Sequence, residues 1–192
     1  MNKLKILMET RKTVFTYEEI KTIFSDLSKE ALEKSLYRSK KSGELLNPYK
    51  WIRTLPIYDE MELACKIKKD SYISLESVLF EAGAIFQAYF NTKTCIASSS
   101  ADLRINGKNY EYKKIKDSLL YNDTYIIKYD NYRKARPERA LCDLVYLYPW
   151  ASLDAPEVFN SPNSTVKLEI LLPLYPKTTQ ERVKKILDMS DF

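Results

Sequence analysis

Apolar residues in the first 55 positions recur at helical spacing in three short segments, and two still shorter runs follow them. Thr16 and Glu19 form the pattern of a capping box, Ser28 suits the N-cap of the next helix, and Gly43 suits its end. The pattern predicts helices over 2–11, after Thr16 and over 28–42, then two strands over 45–53 with a break at Asn47-Pro48. This order predicts a winged helix-turn-helix over residues 1–55.

The remaining positions mix helical and strand-like patterns. Asn106-Gly107 is a strong hairpin signal, because a type I′ turn needs two residues that tolerate positive φ, and the turn places Asp102 opposite Glu111. Asp59, Ser74 and Thr178 are expected to cap the starts of three helices, and Pro137 is expected at the start of a fourth. Strands are expected over 94–97, 125–127 and 168–174. We expect an α+β protein whose mixed α/β C-terminal domain spans 59–192 and contains this antiparallel hairpin.

Composition excludes several kinds of active site. The 192 residues include no His, which removes His-dependent nucleophiles and His-ligated metals, and the 3 Gly cannot form either common phosphate-binding loop. Cys65, Cys95 and Cys142 stand far apart, which favours buried, reduced thiols over disulfides or a zinc site. We therefore expect no enzyme activity, metal or cofactor. No segment resembles a leader peptide or membrane span, so we expect a cytoplasmic protein without a membrane partner.

The excess positive charge is confined to the N-terminal part. Residues 1–53 carry 12 basic and 7 acidic side chains, whereas the rest carry 19 of each. On the third predicted helix, basic and aromatic residues lie opposite the apolar face, which is typical of a helix that enters the major groove of double-stranded DNA. The alternative is an ordinary solvated helix face.

The candidate DNA contacts fall into three groups. Lys29, Lys34 and Lys41 are candidates for phosphate contacts, Arg38 with Tyr37 for base contacts, and Lys50 and Arg53 for contacts from the hairpin. For the neighbouring Trp51, two interpretations stay open: contact with the sugar-phosphate backbone, or packing of the hairpin onto the first helix. One small winged helix reads few base pairs, so dimeric or cooperative binding is expected.

Asp102, Glu111 and Lys113 have the residue types of a Mg²⁺-dependent nuclease site, in which carboxylates hold the metal and Lys assists the attack. Because such triplets are common by chance, a solvated hairpin face is the favoured interpretation. An N-terminal module that binds another protein is a further alternative to DNA binding.

Three runs of residues resemble the AbiEi-like antitoxins of bacterial abortive-infection systems, which act in phage defence. The runs are Val-Phe-Thr at 14–16, Tyr-Ile-Ser-Leu-Glu-Ser at 72–77 with Gln87 further on, and Arg-Pro-Glu-Arg-Ala-Leu-Cys-Asp-Leu at 136–144. The resemblance implies a winged helix that binds inverted repeats upstream of its own operon and represses transcription. It also implies a C-terminal domain that counteracts a nucleotidyltransferase-like toxin without an obligatory stable complex.

The second and third runs also allow a structural interpretation. Ser74 would cap a helix, and Arg136 and Arg139 would pair with Glu138 or Asp143.

Overall fold

A computed structural model of the protein describes residues 3–87 and 91–188 and divides the chain into two compact units, 1–69 and 70–192. Both units contain helices together with a sheet that has antiparallel strand pairs, which agrees with the expected α+β class. No helix within the described ranges is long and apolar enough to cross a membrane.

The first unit combines helices with a small antiparallel sheet. Its sheet has the strand order β1-β3-β2, and its core consists of Leu7, Phe15, Ile20, Phe24, Leu32, Leu36 and Leu45. Its elements are α1 (Lys3–Glu9), β1 (Val14–Thr16), α2 (Tyr17–Ile23), α3 (Lys29–Lys41), β2 (Leu46–Tyr49), β3 (Ile52–Thr54) and α4 (Glu60–Ile67). Asn2, part of the predicted first helix, lies outside the described residues.

The predicted helix caps of this unit are confirmed. The Glu19 amide donates to Thr16 Oγ1 over 3.2 Å, while the Thr16 amide donates to the Glu19 carboxylate over 2.9 Å. Ser28 Oγ accepts the Ala31 amide over 3.2 Å, and Gly43 follows α3 with φ +78°. These local hydrogen bonds set where α2 and α3 begin and so which residues of α3 face solvent.

The division into compact units falls at residue 69, so α4 belongs to the first unit, whereas the sequence predicts that the second domain begins at residue 59. Asp59 caps α4 as expected, by accepting the amide of Met61 over 2.7 Å. The buried Glu62 side chain does not complete a capping box; its Oε2 accepts the Thr13 amide over 2.9 Å and the Thr13 hydroxyl over 2.7 Å. These bonds tie α4 to the start of β1.

The hairpin turn also differs from the prediction. Tyr49 pairs with Ile52, so the turn is the two residues Lys50 and Trp51, whereas the predicted break, Asn47-Pro48, lies inside β2. Strand β2 is at the edge of the sheet and irregular between Leu46 and Tyr49, and a proline without an amide hydrogen is tolerated in such a strand.

The second unit contains a mixed six-stranded sheet with the order β6-β7-β5-β4-β9-β8, in which β5 runs parallel to β7 and β4 parallel to β9. Its strands are β4 (Tyr72–Ile73), β5 (Thr92–Ala97), β6 (Ala101–Ile105), β7 (Lys108–Lys114), β8 (Ile126–Lys128) and β9 (Arg133–Ala135). Its helices are α5 (Glu76–Glu81), α6 (Asp117–Leu120), α7 (Pro137–Leu147), α8 (Pro162–Leu171) and α9 (Lys177–Ile186). Helix α7 packs against α5, α8 and α9.

The β6-β7 hairpin has the predicted register, with Asp102 opposite Glu111 and Asn106-Gly107 at the turn. The strand predicted over 168–174 is wrong, because this segment forms the end of α8 and a short 3-10 helix, Leu172–Leu174. Short apolar runs do not separate a strand from a buried helix.

Two predicted caps of the second unit are also wrong. Helix α5 follows Leu75, which has φ +57° and makes no capping hydrogen bond, so Ser74 is not its cap. Helix α9 follows Pro176 and likewise lacks a side-chain cap, so Thr178 is not a cap either.

Candidate functional site

Helix α3 has two different faces. Leu32 and Leu36 are buried in the core of the first unit, and Ser35 and Ser39 flank them half-buried. The side opposite these leucines is exposed and forms what we call the basic face, defined as Lys34, Tyr37, Arg38 and Lys41. The 69% exposed Tyr37 therefore stands beside three cations in solvent.

The cations of the basic face have no acidic partner within the part of the chain that the structure describes. By contrast, Lys12 and Lys66 both form ion pairs with Glu19, the former at 2.8 Å. Arg38 and Lys41 lie in the last turn of α3, where the helix dipole favours positive charge, and all three unneutralised cations are available to an external anion.

The acidic residues of α3, Glu30 and Glu33, both lie in its N-terminal half, before Arg38 and Lys41. Glu30 lies in the first turn, where its own amide and the Ser28 hydroxyl lower the pKa of its carboxyl. Lys29, the first residue of α3, is exposed at the same end.

The hairpin tip adds one more cation and a large aromatic ring. Lys50 is exposed, and Trp51 is 75% exposed with φ +58°. This exposure excludes the interpretation in which Trp51 packs the hairpin onto the first helix.

Arg53, the remaining predicted contact, is held within the hairpin. Its Nη1 donates to Asn47 Oδ1 over 2.5 Å and to the Ile52 carbonyl over 3.2 Å, and burial lowers the pKa of its guanidinium. The structure therefore places Lys29, Lys34, Tyr37, Arg38, Lys41 and Lys50 in solvent, and Arg53 half-buried.

The second unit contains a buried polar network around Arg139 and Asp143. Arg139 and Asp143, one turn apart on α7, are fully buried, and the Arg139 Nε donates to Asp143 Oδ1 over 3.1 Å. The other Asp143 oxygen, Oδ2, accepts the hydroxyls of Ser74 over 2.9 Å and Tyr72 over 3.0 Å, while Oδ1 also accepts Tyr175 over 2.6 Å.

The Arg139 guanidinium also binds main-chain carbonyls around α6. It donates to the carbonyls of Leu119 over 2.7 Å, Asn122 over 3.2 Å and Thr124 over 3.3 Å. The network thus joins β4, α6, α7 and the segment before α9. The structural interpretation of the sequence motifs expected the pair Arg139–Asp143 but none of these longer connections.

Glu138 has different partners from those considered. Its Oε1 accepts the Ser164 hydroxyl and the Lys167 ammonium, each over 2.9 Å, so it connects α7 to α8. Arg136 is exposed at the start of α7. Neither arginine pairs with Glu138 among the described residues.

Burial and the Asp143 charge raise the pKa values of the Tyr72 and Tyr175 hydroxyls and the Cys142 thiol. These groups therefore stay protonated at neutral pH, and the hydroxyls act as hydrogen-bond donors to Asp143. Cys142 is buried as predicted, in an environment that opposes formation of a thiolate nucleophile.

Asp102, Glu111 and Lys113, the alternative nuclease residues, do lie together on the β6-β7 hairpin. The Lys113 Nζ is 3.6 Å from Asp102 Oδ1 and 3.1 Å from Glu111 Oε2. Burial lowers the pKa of Lys113, but the bond to Glu111 and nearby negative charge outweigh it, so the pKa is raised overall.

This arrangement resembles a surface ion-pair cluster. The Lys113 ammonium group, whose pKa is raised, neutralises the carboxylates that a Mg²⁺ ion would need. The Asp102 side chain is also 75% exposed. Within 3–87 and 91–188 no group of three or more His, Cys, Asp or Glu side chains could hold a metal.

Comparison with known proteins gives a likeness of fold. No family model matches the chain. No curated protein matches it in sequence. Among solved structures, it is similar to the RV2827C protein from Mycobacterium tuberculosis, with a TM-score of 0.62 and 14% identity over 96% of this chain and 74% of that one. The two proteins therefore share a fold.

Proposed function

We propose that the first unit is a winged helix that binds double-stranded DNA through the basic face of α3. The observation that carries this proposal is the exposed and unneutralised set Lys34, Arg38 and Lys41, fixed on a helix whose opposite side is buried. A helix with these properties fits the major groove, where Arg can donate two hydrogen bonds to a guanine edge.

The order of elements supports the winged-helix assignment. Helices α1, α2 and α3 precede the β2-β3 hairpin, and β1 completes a three-stranded sheet beside β3. In such a domain the second and third helices form the helix-turn-helix and the hairpin forms the wing.

Each candidate residue has a distinct role in this proposal. Arg38 reads a base edge with Tyr37 beside it, and Lys29, Lys34 and Lys41 neutralise phosphates. Lys50 contacts the backbone from the wing, whereas Arg53 supports the wing through Asn47 unless DNA displaces that bond.

We further propose that the chain is an antitoxin that represses its own operon and counteracts a nucleotidyltransferase-like toxin. This part rests on the resemblance to AbiEi-like antitoxins. The residues that carry the resemblance in the second unit, among them Ser74, Arg139 and Asp143, are the residues of its buried network. Because these side chains are buried, their role is to specify the fold of this unit, and they would not themselves contact a toxin.

The DNA-binding proposal is tested by measuring the affinity for a duplex from the region upstream of its own coding sequence. Lys34→Ala/Arg38→Ala should weaken binding at least tenfold, since a bidentate contact of Arg38 with a base contributes about 1–3 kcal/mol and the phosphate contact of Lys34 is lost in addition. Lys40→Ala is the matched control: Lys40 is exposed on the same helix, about 160° around its axis from Arg38.

Two results would overturn the proposal. Unchanged affinity of the double variant for the duplex would exclude the basic face of α3 as the DNA-binding surface, and absence of any binding to the duplex would exclude DNA binding and favour a module that binds another protein. For the antitoxin part, co-expression should relieve the growth arrest caused by a nucleotidyltransferase encoded beside this chain, and continued arrest would contradict it.

A further inference from the structure

Strand β6 forms one edge of the six-stranded sheet, and its outer side is open. Among the residues that the structure describes, β6 pairs with β7 and with no other strand. The strand at the opposite edge, β8, has three residues, whereas β6 has five. An unpaired edge offers a row of main-chain hydrogen-bonding groups to another strand. Lysine and proline, which commonly block such pairing, do not occur in β6.

The ladder between β6 and β7 decides which main-chain groups point outward. In a hairpin with a two-residue turn, the residues that flank the turn form a hydrogen-bonded pair, and such pairs alternate with non-hydrogen-bonded pairs. Arg104 and Asn109 are therefore a non-hydrogen-bonded pair, and the Asn109 amide instead donates to the Asn91 carbonyl over 2.6 Å. By the same alternation, the amides and carbonyls of Asp102 and Arg104 point away from β7.

The side chains of these two residues place opposite charges on one face of β6. Asp102 and Arg104 are two positions apart, so both side chains lie on the same face of the strand. Arg104 is exposed and has no acidic partner within the described part of the chain. Asp102 lies 3.6 Å from Lys113 Nζ, but its side chain is 75% exposed and remains accessible to a second cation.

These features make the edge of β6 complementary to itself. When two β6 strands pair antiparallel with Leu103 opposite Leu103, Asp102 of each copy lies opposite Arg104 of the other. The outward amides and carbonyls of Asp102 and Arg104 then exchange hydrogen bonds, because the pairs beside a non-hydrogen-bonded pair are hydrogen-bonded. An antiparallel pairing centred on Asp102 or on Arg104 would place like charges opposite each other, which is destabilising.

We propose that a second copy of this chain binds the edge of β6, so that the two six-stranded sheets become continuous in a two-fold symmetric dimer. A two-fold interface uses the same patch on both copies, and the self-complementary register of β6 meets this requirement. The dimer forms through the second unit and does not depend on DNA binding by α3. It would also bring together the two DNA-binding units that a longer recognition site requires.

Charge reversal tests the dimer in the full-length protein without DNA. Sedimentation velocity over a range of concentrations should show an equilibrium between monomer and dimer for the wild type. Asp102→Lys and Arg104→Glu should each raise the dissociation constant about tenfold, because two cross-strand pairs change from unlike to like charge. Lys114→Glu is the control, since Lys114 is exposed on β7, which is paired on both sides, and it should leave the constant unchanged.

A mixture of the two reversed variants should recover the association. In a heterodimer of Asp102→Lys with Arg104→Glu, both cross-strand pairs again join unlike charges, so the mixture should dimerise about as well as the wild type. This recovery would also show that both variants are folded. A wild type that is monomeric at every concentration, a dimer that neither reversal weakens, or a mixture that stays monomeric would overturn the inference.

Cysteine cross-linking tests the register of the two strands. Opposite residues of a non-hydrogen-bonded pair have Cα atoms about 4.5 Å apart, a distance that a disulfide spans. Oxidised Leu103→Cys should therefore form a covalent dimer. Ala101→Cys should not, because the two copies of position 101 would lie at least about 13 Å apart. Wild type oxidised in parallel accounts for the half-buried Cys65, and equal cross-linking of both variants would contradict the inference.

Discussion

Arg139 and Asp143 form an ion pair at 3.1 Å in which neither side chain is exposed, and this pair organises the second unit. A buried charge is costly unless its hydrogen-bonding capacity is satisfied. Here the carboxylate accepts three hydroxyls besides the guanidinium, and the guanidinium donates to three main-chain carbonyls. Removing either partner leaves the other buried without its counter-charge.

We therefore expect Asp143→Ala to lower the free energy of unfolding by about 3–5 kcal/mol. Urea unfolding followed by circular dichroism measures this change. Asp123→Ala is the control, because Asp123 pairs with Lys128 and Arg133 at the surface and should cost at most about 1 kcal/mol. Equal effects of the two substitutions would show that the buried network does not stabilise the second unit.

The stability of the first unit should depend on the ionisation of Glu19. Burial by itself raises the pKa of Glu19, but hydrogen bonds from Lys12, Lys66 and the Thr16 amide lower it from 4.5 to about 2. Because the pKa is lower in the folded state, the stabilisation is complete above pH 4.5 and is lost as the pH falls from 4.5 towards 2. After allowance for partial exposure, the loss is about 2 kcal/mol.

Hydrogen exchange of the α2 amides between pH 5 and pH 2.5, corrected for intrinsic rates, measures this loss. Glu19→Gln should remove most of the pH dependence, whereas Glu18→Gln, an exposed position in the same turn, should leave it unchanged. An identical pH profile for wild type and Glu19→Gln would refute the assignment.

Trp51→Gly should change the stability of the first unit and its affinity for DNA in opposite directions. Glycine adopts φ near +58° without strain, and the indole is mostly exposed, so the substitution should stabilise the first unit by about 1 kcal/mol. The same variant should bind DNA more weakly, and the two changes are measured by urea unfolding and fluorescence anisotropy. A destabilised variant would mean that the ring packs in a way the structure does not show.

Supercoiled DNA should be bound but not cut in the presence of Mg²⁺. The Lys113 ammonium pairs with both Asp102 and Glu111, which leaves little room or charge for a metal. Gel electrophoresis of plasmid incubated with the protein and Mg²⁺ should show retardation without nicked product. Nicking that disappears in Asp102→Ala would instead support the nuclease alternative.

Features determined by a few neighbouring residues could be predicted from the sequence. The capping box at Thr16, the cap at Ser28 and the register of the hairpin at Asn106-Gly107 all follow from contacts within short stretches of chain. The same holds for the exposure of Arg38, since helical periodicity places it opposite Leu32 and Leu36.

Features that depend on distant contacts were harder to predict. In the sequence Ser74 resembles a helix cap, but in the structure its hydroxyl donates a hydrogen bond to the carboxylate of Asp143, 69 positions away. In the sequence Glu62, three positions after Asp59, resembles part of a capping box. In the structure its carboxylate accepts a hydrogen bond from the Thr13 amide, and α4 belongs to the first unit. Arg53 and Asn47 are only six positions apart, but their hydrogen bond depends on the pairing of β2 with β3, whose turn the sequence placed elsewhere.

The salt dependence of DNA affinity tests the central claim most directly, because each neutralised phosphate releases counterions. For the upstream duplex, log affinity falls with log salt, and the magnitude of this negative slope should become smaller by about one for each of Lys34→Ala and Lys41→Ala, while Lys40→Ala should leave it unchanged. A slope that is the same in all four proteins, or that changes equally for Lys40→Ala, would contradict the assignment of the basic face of α3 as the DNA-binding surface.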